Sequence, residues 1–337
     1  MCIGVRTVFG ALVLVCLGAT LSAETAHALN DQPVIGVLAI PIGTECITAW
    51  NTRATDNTGT MMITNVNGAD PKLGSCFHSL YVQWLEAAGA RVVPIPFDVS
   101  EAELEHLLGS LNGILFTGGE VELKNLTSGY MNTTRRIVAH STRLANASEV
   151  FPVWGTCMGF QTLCVLAAND PAILTEGIFD SEGLALPLNL TNEGLHSRLW
   201  SGLRGFVQDT LETKNVTCNL HHDGIFARDF RANKRIMDQC VLTINVLDAT
   251  ASACGVSGDS CVVCYTALCR YALISTNLDK RGHEFVSTME HRKAPIFATQ
   301  WHPERPQFQF SLSAGEELGI NHGLDAIEAM QVLSVDD

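Results

Sequence analysis

Two stretches far apart in the chain carry residues that could do nucleophilic chemistry together. Cys157 stands in Gly155-Thr156-Cys157-Met158-Gly159, a G-x-C-x-G. Apolar residues behind Pro152 precede it, and Phe160, Leu163, Cys164 and Ala167 follow at helical spacing. Strand, sharp turn and helix in that order make a nucleophile elbow, which lifts one reactive side chain to the top of a sheet. Glycines two residues either side suit such a turn, because side chains there would clash. A helix starting at Met158 points unpaired N–H groups at the sulfur and favours thiolate over thiol. Alone, the motif reads equally as a buried Cys in an ordinary βα turn. The second stretch is Pro295–Glu304, P-I-F-A-T-Q-W-H-P-E. A thiol nucleophile needs a base, and the base needs an orienting acceptor. His302 and Glu304, two apart in an extended loop after a short apolar strand, can set a carboxylate beside an imidazole. Cys157, His302 and Glu304 together spell acyl transfer at a thiol.

With both stretches in view, W-G-T-C-M-G-F-Q and A-T-Q-W-H-P-E resemble the class I glutamine amidotransferase-like superfamily. Within it the chain resembles the gamma-glutamyl hydrolases (folylpoly-gamma-glutamate hydrolases, cysteine peptidase family C26). Four further segments carry the likeness: P-V-I-G-V-L at Pro33–Leu38, Y-V-Q-W-L-E-A-A-G-A-R-V-V-P at Tyr81–Pro94, N-G-I-L-F-T-G-G at Asn112–Gly119, and L-H-S-R-L at Leu195–Leu199. It runs from about Pro33 to about Met330, with one large insertion. The resemblance implies an α/β fold with a flavodoxin-like, mostly parallel sheet flanked by helices and the elbow after a central strand. It implies cleavage of γ-glutamyl amide bonds in poly-γ-glutamyl folates, with no cofactor and no metal. It places substrate contacts at Tyr81 and His221. It sets the loop of Gly118 and Gly119 opposite the elbow, so that the Gly119 and Met158 N–H groups form an oxyanion hole. It also implies a homodimer, although the last helix here is shorter than the family's. Two other readings share these motifs: a glutaminase subunit feeding ammonia to a synthase, and a secreted binding glycoprotein that has lost catalysis.

The rest of the chain must position these groups. The 337 residues alternate strand and helix without a reset, which reads as one catalytic domain over 24–337. Hydrophobic content of 47% against 17% charged residues fits a sizeable core. A net charge of −14 without a basic tract argues against nucleic acid as a partner. Met1–Ala23 has Arg6, an apolar run from Val8 to Ala19, and small residues at Ser22 and Ala23, the pattern of a secretory signal peptide. No other run is long and apolar enough to span a bilayer, so no membrane contact is expected after signal removal. A lysosome-like, vacuolar or extracellular location follows. Sequons at Asn125, Asn132, Asn146, Asn189 and Asn215 suit that route.

Pro33–Ile40 reads as a first strand buried on both faces, and Pro41–Ser75 as a long loop. Phe77–Ala88 reads as a helix ended by Gly89, and Tyr81 on it could equally be a packed aromatic. Ser100 with Glu103 makes a capping box, Gly113–Thr117 a strand, and Thr134–Ala147 a helix. Gly183–Leu190 and Thr217–Ile225 read as strands folded over the site; His222 would then point away from His221. Ala272–Asn277 and Glu284–Met289 read as a hairpin, and Leu324–Leu333 as a last helix. About thirty residues over 239–268 form an insertion with Cys240, Cys254, Cys261, Cys264 and Cys269 at or near its edges. In a secreted chain these read as disulfides rather than zinc ligands. Cys164, on the inner face of the elbow helix, is expected to stay a free thiol.

Overall fold

The computed structural model describes residues 32–42, 61–64, 74–237, 242–246, 261–265, 271–310 and 318–333, with the backbone alone over 61–64, 242–246 and 261–265. The expected signal peptide and three of the insertion's cysteines, Cys240, Cys254 and Cys269, lie outside them, and so does the disulfide expectation. Eight strands form the central sheet: β1 (Val34–Leu38), β2 (Arg91–Ile95), β3 (Gly113–Phe116), β4 (Val153–Thr156), β5 (Asn189–Leu190), β6 (Tyr271–Leu278), β7 (Glu284–His291) and β8 (Ile296–Thr299). Their order is β2-β1-β3-β4-β8-β7-β6-β5. The four pairings from β2 to β8 are parallel, and the three from β8 to β5 are antiparallel. This is the α/β, mostly parallel sheet flanked by helices that the sequence implies.

The two-residue period of a strand divides the core into two. Val37, Leu115, Trp154 and Phe297 face one side, with Tyr81 and Trp84 of α1 (Leu80–Ala87) and Met330 of the last helix, Leu324–Val332. Their neighbours Leu38, Phe116, Val153 and Ile296 face the other side. There they meet α2 (Glu101–Leu108), α3 (Gly129–Asn146) and α4 (Met158–Ala168). The elbow helix α4 is buried over its whole length, which is why its sequence is apolar all round rather than striped.

Local signals set most of the boundaries. The Ser100 hydroxyl accepts from the Glu103 N–H and starts α2. Ser128 does the same for Met131, so α3 begins five residues before the expected Thr134. Gly89, at a φ of 92°, ends α1. The expected helix over Phe77–Ala88 starts only at Leu80, because Ser75–His78 pairs instead with Ile40–Pro41 and Met61–Thr64 in a small antiparallel sheet. Part of the expected long loop is therefore strand. Cys76 in that sheet is disulfide-bonded.

The region folded over the site is less regular than the sequence suggests. Pro187, which has no N–H, falls between Leu184–Leu186 and β5. Thr217–Asn219 pairs with Leu184–Leu186, but Leu220–Ile225 leaves the strand. His221 is buried and His222 exposed, as expected, but the loop rather than strand alternation separates them. Within the insertion, Leu242–Val246 pairs antiparallel with Cys261–Tyr265. All five sequon asparagines are exposed. Cys164 is a buried free thiol beside the Met289 sulfur at 3.5 Å, as its helix face implies, and Cys157 and Cys218 are buried free thiols too.

One carboxylate ties the β6–β7 turn to the segment over the site. Asp279 accepts from the backbone N–H groups of Asp180, Arg281 and His283 at 2.7 to 2.9 Å, and from the His283 ring at 3.0 Å. Burial raises its pKa, but these hydrogen bonds together outweigh burial and hold it at about 2. Asp279→Ala strands three amides, and we expect a loss of about 2 kcal/mol in urea unfolding at neutral pH. A depressed folded pKa gives stability that is present above the unfolded carboxylate value of about 3.9 and is lost as pH falls toward the folded one. The gap between wild type and Asp279→Ala should therefore narrow between about pH 4 and pH 2. A gap that stays constant through that window refutes the assignment.

Candidate active site

The parallel strands deliver the reactive groups to one edge of the sheet. β4 and β8 are neighbours, with Thr156 opposite Thr299. Cys157 follows one and His302 follows the other, so a separation of nearly 150 positions in sequence closes across a single strand pairing. Cys157 takes φ 53° and ψ −107°, a backbone that L side chains seldom adopt. Such strain costs about 1–3 kcal/mol and persists only where the surroundings enforce it. They do so here: the Cys157 N–H donates to the Thr299 carbonyl at 2.8 Å, and its carbonyl accepts from Gln161 at 3.0 Å. The flanking glycines are required for the reason the spacing suggests. A Cβ on Gly159 would lie 2.4 Å from the Phe116 carbonyl oxygen, and one on Gly155 would lie 2.9 Å from the Gly159 backbone.

His302 is held from both sides. Its backbone N–H donates to the Cys218 carbonyl at 2.9 Å. Its Nδ1 meets Glu304 Oε1 at 2.6 Å, both side chains being almost wholly buried. The carboxylate fixes Nδ1 as the protonated nitrogen and leaves Nε2 as the base. Gly118 shows how close these groups come. A Cβ built there would lie 2.8 Å from the Tyr81 hydroxyl, 3.0 Å from His302 Cε1 and 3.3 Å from Cys157 Cβ. The side chains of Tyr81, His302 and Cys157 thus converge on one point, which only a glycine leaves open. The Gly118 N–H donates to the Tyr81 hydroxyl at 2.8 Å, which ties α1 to the loop after β3. Gly119 follows at a φ of 138°, a conformation that suits glycine.

The sulfur is buried along with these groups. Burial pushes the Cys157 thiol up to about 12; the Arg305 charge and the Met158 N–H pull the other way, and Glu304 adds to the rise. The helix start therefore acts on the sulfur as the motif predicts, but burial outweighs it. The expected thiolate is replaced by a resting thiol. Burial lowers His302, Arg305 lowers it further, and Glu304 opposes both. The thiol and the imidazole therefore both rest neutral. Tyr81 is held protonated, chiefly by burial and then by Glu304.

His221 lies beside this group, in the loop after Thr217–Asn219. Its Nδ1 donates to the Asp223 carbonyl at 2.9 Å, and its ring packs edge-on against Phe285. Burial, with repulsion from His302, drives its pKa down to about 3 against the Asp223 hydrogen bond. The imidazole is therefore neutral, and its buried Nε2 has no hydrogen-bond partner. His222 is mostly exposed, its Nε2 3.9 Å from Glu182. Among the described residues no cluster of three His, Cys, Asp or Glu could hold a metal ion, and no helix is long and apolar enough to cross a membrane.

Three residues at the site escaped the sequence reading. Gln300 Nε2 donates to the Cys157 sulfur at 3.7 Å, and Gln300 Oε1 accepts from Gln161 at 3.3 Å. Both glutamines lie within the quoted motifs, one before Trp301 and one in the first turn of α4. A polar residue in an otherwise apolar strand-to-helix stretch was the available signal. Arg305, directly after Glu304, is the third.

A Peptidase C26 family profile matches residues 58–169, the stretch that ends with the elbow and its helix. The mouse gamma-glutamyl hydrolase is 30% identical over 262 residues, which cover 77% of this chain and 70% of that protein. The human gamma-glutamyl hydrolase is 32% identical over 248 residues, 74% of this chain and 65% of the human one. Gamma-glutamyl hydrolase B of Dictyostelium discoideum is 28% identical over 309 residues, 91% of this chain and 72% of that one. The elbow, its base and this similarity over most of the length place the chain in the gamma-glutamyl hydrolase family, a family of cysteine-type hydrolases.

Proposed function

We propose that the chain hydrolyses the γ-glutamyl amide bonds of poly-γ-glutamyl folates through a thioester on Cys157. The observation that carries this reading is the buried Cys157 at a strained elbow beside a His302–Glu304 pair closed at 2.6 Å. His302 Nε2 takes the thiol proton as the sulfur attacks the γ-carbonyl, so charge forms only when substrate is in place. The oxyanion is received by the Met158 N–H, already directed at the sulfur, and by the Gly119 N–H. Gly118 is not available for this, because its N–H is committed to Tyr81. The imidazolium, steadied by Glu304, returns its proton to the leaving amine. A water activated by the same nitrogen then clears the thioester. Tyr81 and His221 are read as contacts for substrate polar groups, a reading supported by the unpartnered Nε2 of His221.

The setting we infer is an acidic compartment of the secretory route, lysosome-like or vacuolar, or the outside of the cell. The apolar N-terminal run and the exposure of all five sequon asparagines support it. A poly-γ-glutamate tail is a polyanion and the protein carries −14. Mild acid therefore eases their approach by neutralising carboxylates.

Assays with a γ-glutamyl dipeptide, a triglutamyl folate and free glutamine separate this reading from a glutaminase. We expect turnover of the first two and no ammonia from the third. Cys157→Ala should lower turnover by about 1,000-fold or more, and full activity in that variant would end the thiol route. The pH profile carries a second test. Burial and Arg305 both disfavour the charged form of His302, so its proton leaves below the usual 6.5 and the base stays available in mild acid. The acid limb of the rate should lie below about pH 6.5. A rate that still climbs through about pH 8 would contradict the acidic setting.

A further inference from the structure

Arg305 puts a guanidinium inside a site whose mechanism, as described, does not use it. Its side chain is 17% exposed, and its Nε lies 3.5 Å from Glu304 Oε1, the oxygen that already accepts from His302. A second arm of the fork is anchored, with Nη1 donating to Gln309 Oε1 at 2.6 Å. Pro306 is the second residue of the short helix Arg305–Phe308, a position in the first turn where its missing N–H costs nothing. The guanidinium is thus fixed at one end by Gln309 and directed at the carboxylate by its other edge. Nε itself is buried and forms no hydrogen bond, and Glu304 Oε2 is likewise buried without one. The carboxylate thus has one hydrogen-bonded oxygen, with the guanidinium nearby as a charge rather than as a donor, and one bare oxygen. A merely structural ion pair would be expected to engage both oxygens in a bidentate fork.

We propose that Arg305 is a positioning residue of the hydrolytic reaction, acting through Glu304: His302, Glu304 and Arg305 form one line in which the guanidinium holds the carboxylate against the imidazole and sets the charge that the sulfur and the ring feel. The groups facing this line are Tyr81 from α1, Cys157 from the elbow, Cys218 from the strand Thr217–Asn219, and His221 and Glu182 from the covering loops. Among them Arg305 is the cation. Glu304 alone would make the thiol proton harder to remove and the imidazolium harder to discharge. The guanidinium opposes both effects, so the carboxylate can orient the ring without stalling the proton transfer. Lys could supply the charge, but not the planar fork that reaches Gln309 and Glu304 together.

The inference rests on the hydrolase reading, and its test includes a measurement made without substrate. The rate of Cys157 alkylation by iodoacetamide, followed by mass against pH, reports the sulfur and its base directly. Arg305→Gln should move the acid limb of that profile up by about one pH unit, since loss of the cation makes both protons harder to lose. Glu304→Gln should move it down, and Arg305→Lys should restore the wild-type position. In turnover, Arg305→Gln should lower kcat about tenfold with little change in KM. Thermal melts show which variants are folded. An unshifted alkylation profile in a folded Arg305→Gln protein overturns the proposal. So does a rise in KM at unchanged kcat, which would make Arg305 a contact for substrate carboxylate instead. If wild type fails to cleave any γ-glutamyl substrate, the proposed function fails, while the alkylation profile still decides the role of Arg305.

Discussion

The exclusion of water from the point where Cys157, His302 and Tyr81 meet is the constraint on which the rest depends. A 2.6 Å hydrogen bond between His302 and Glu304 has modest value in water, where solvent competes for both partners. In a buried site it defines a tautomer and holds it. The same burial carries a cost: it disfavours the thiolate and the imidazolium alike. The site is therefore built to create charge late. Its fixed dipoles, the first N–H of α4 and the amides after β3, are in place before the charge they would receive. Preorganised dipoles of that kind need not rearrange when charge appears.

The parallel half of the sheet makes this arrangement possible. In a parallel sheet the loops at the carboxyl ends of neighbouring strands gather on one edge, where ligands bind in open α/β folds. β3, β4 and β8 are consecutive in the sheet order and end together. They present Gly118, Cys157 and His302 at adjacent points. The antiparallel half serves another purpose. β6 and β7 extend the sheet and support the covering segment, which Asp279 fixes through the Asp180 N–H. Site and cover are thus built on opposite halves of one sheet.

How much of this is legible in the sequence depends on whether a residue's role is local. The elbow is legible because both glycines stand within two residues of Cys157; a Cβ on Gly155 would meet the elbow itself, whereas the clash at Gly159 is with Phe116 of the neighbouring strand β3, which the spacing does not show. The Ser100 cap is legible for the same reason. His302 and Glu304 are legible as a pair because an i, i+2 spacing needs only an extended loop. The start of α1 is not, because Ser75–His78 is captured by Met61–Thr64 and by Ile40–Pro41, over thirty residues away, and helix periodicity carries no trace of that competition. Leu220–Ile225 is misread because the apolar residues that suggest a strand serve a loop held by His221 and Asp223. The protonation state of Cys157 is illegible for a related reason. The helix start is written beside it in the sequence, whereas the burial that outweighs it comes from Gly118, Tyr81 and Gln300, scattered over more than two hundred positions.

That last point also separates the overall charge of the protein from the chemistry of its site. A balance of −14 sets the long-range field, yet in physiological salt that field fades within about 8 Å. Inside the site, what counts is which charges are close and unscreened. Glu304 is the nearest anion to the reacting pair, and Arg305 beside it cancels much of its effect on the sulfur. An acidic protein can therefore hold a local environment in which an anion forms on sulfur and an oxyanion on the carbonyl. On the proposed mechanism the two requirements are met on different length scales, with surface carboxylates governing approach and the buried His–Glu–Arg line governing proton transfer. Because the line is desolvated and the surface is not, acid can relieve repulsion at the surface while the buried base stays unprotonated.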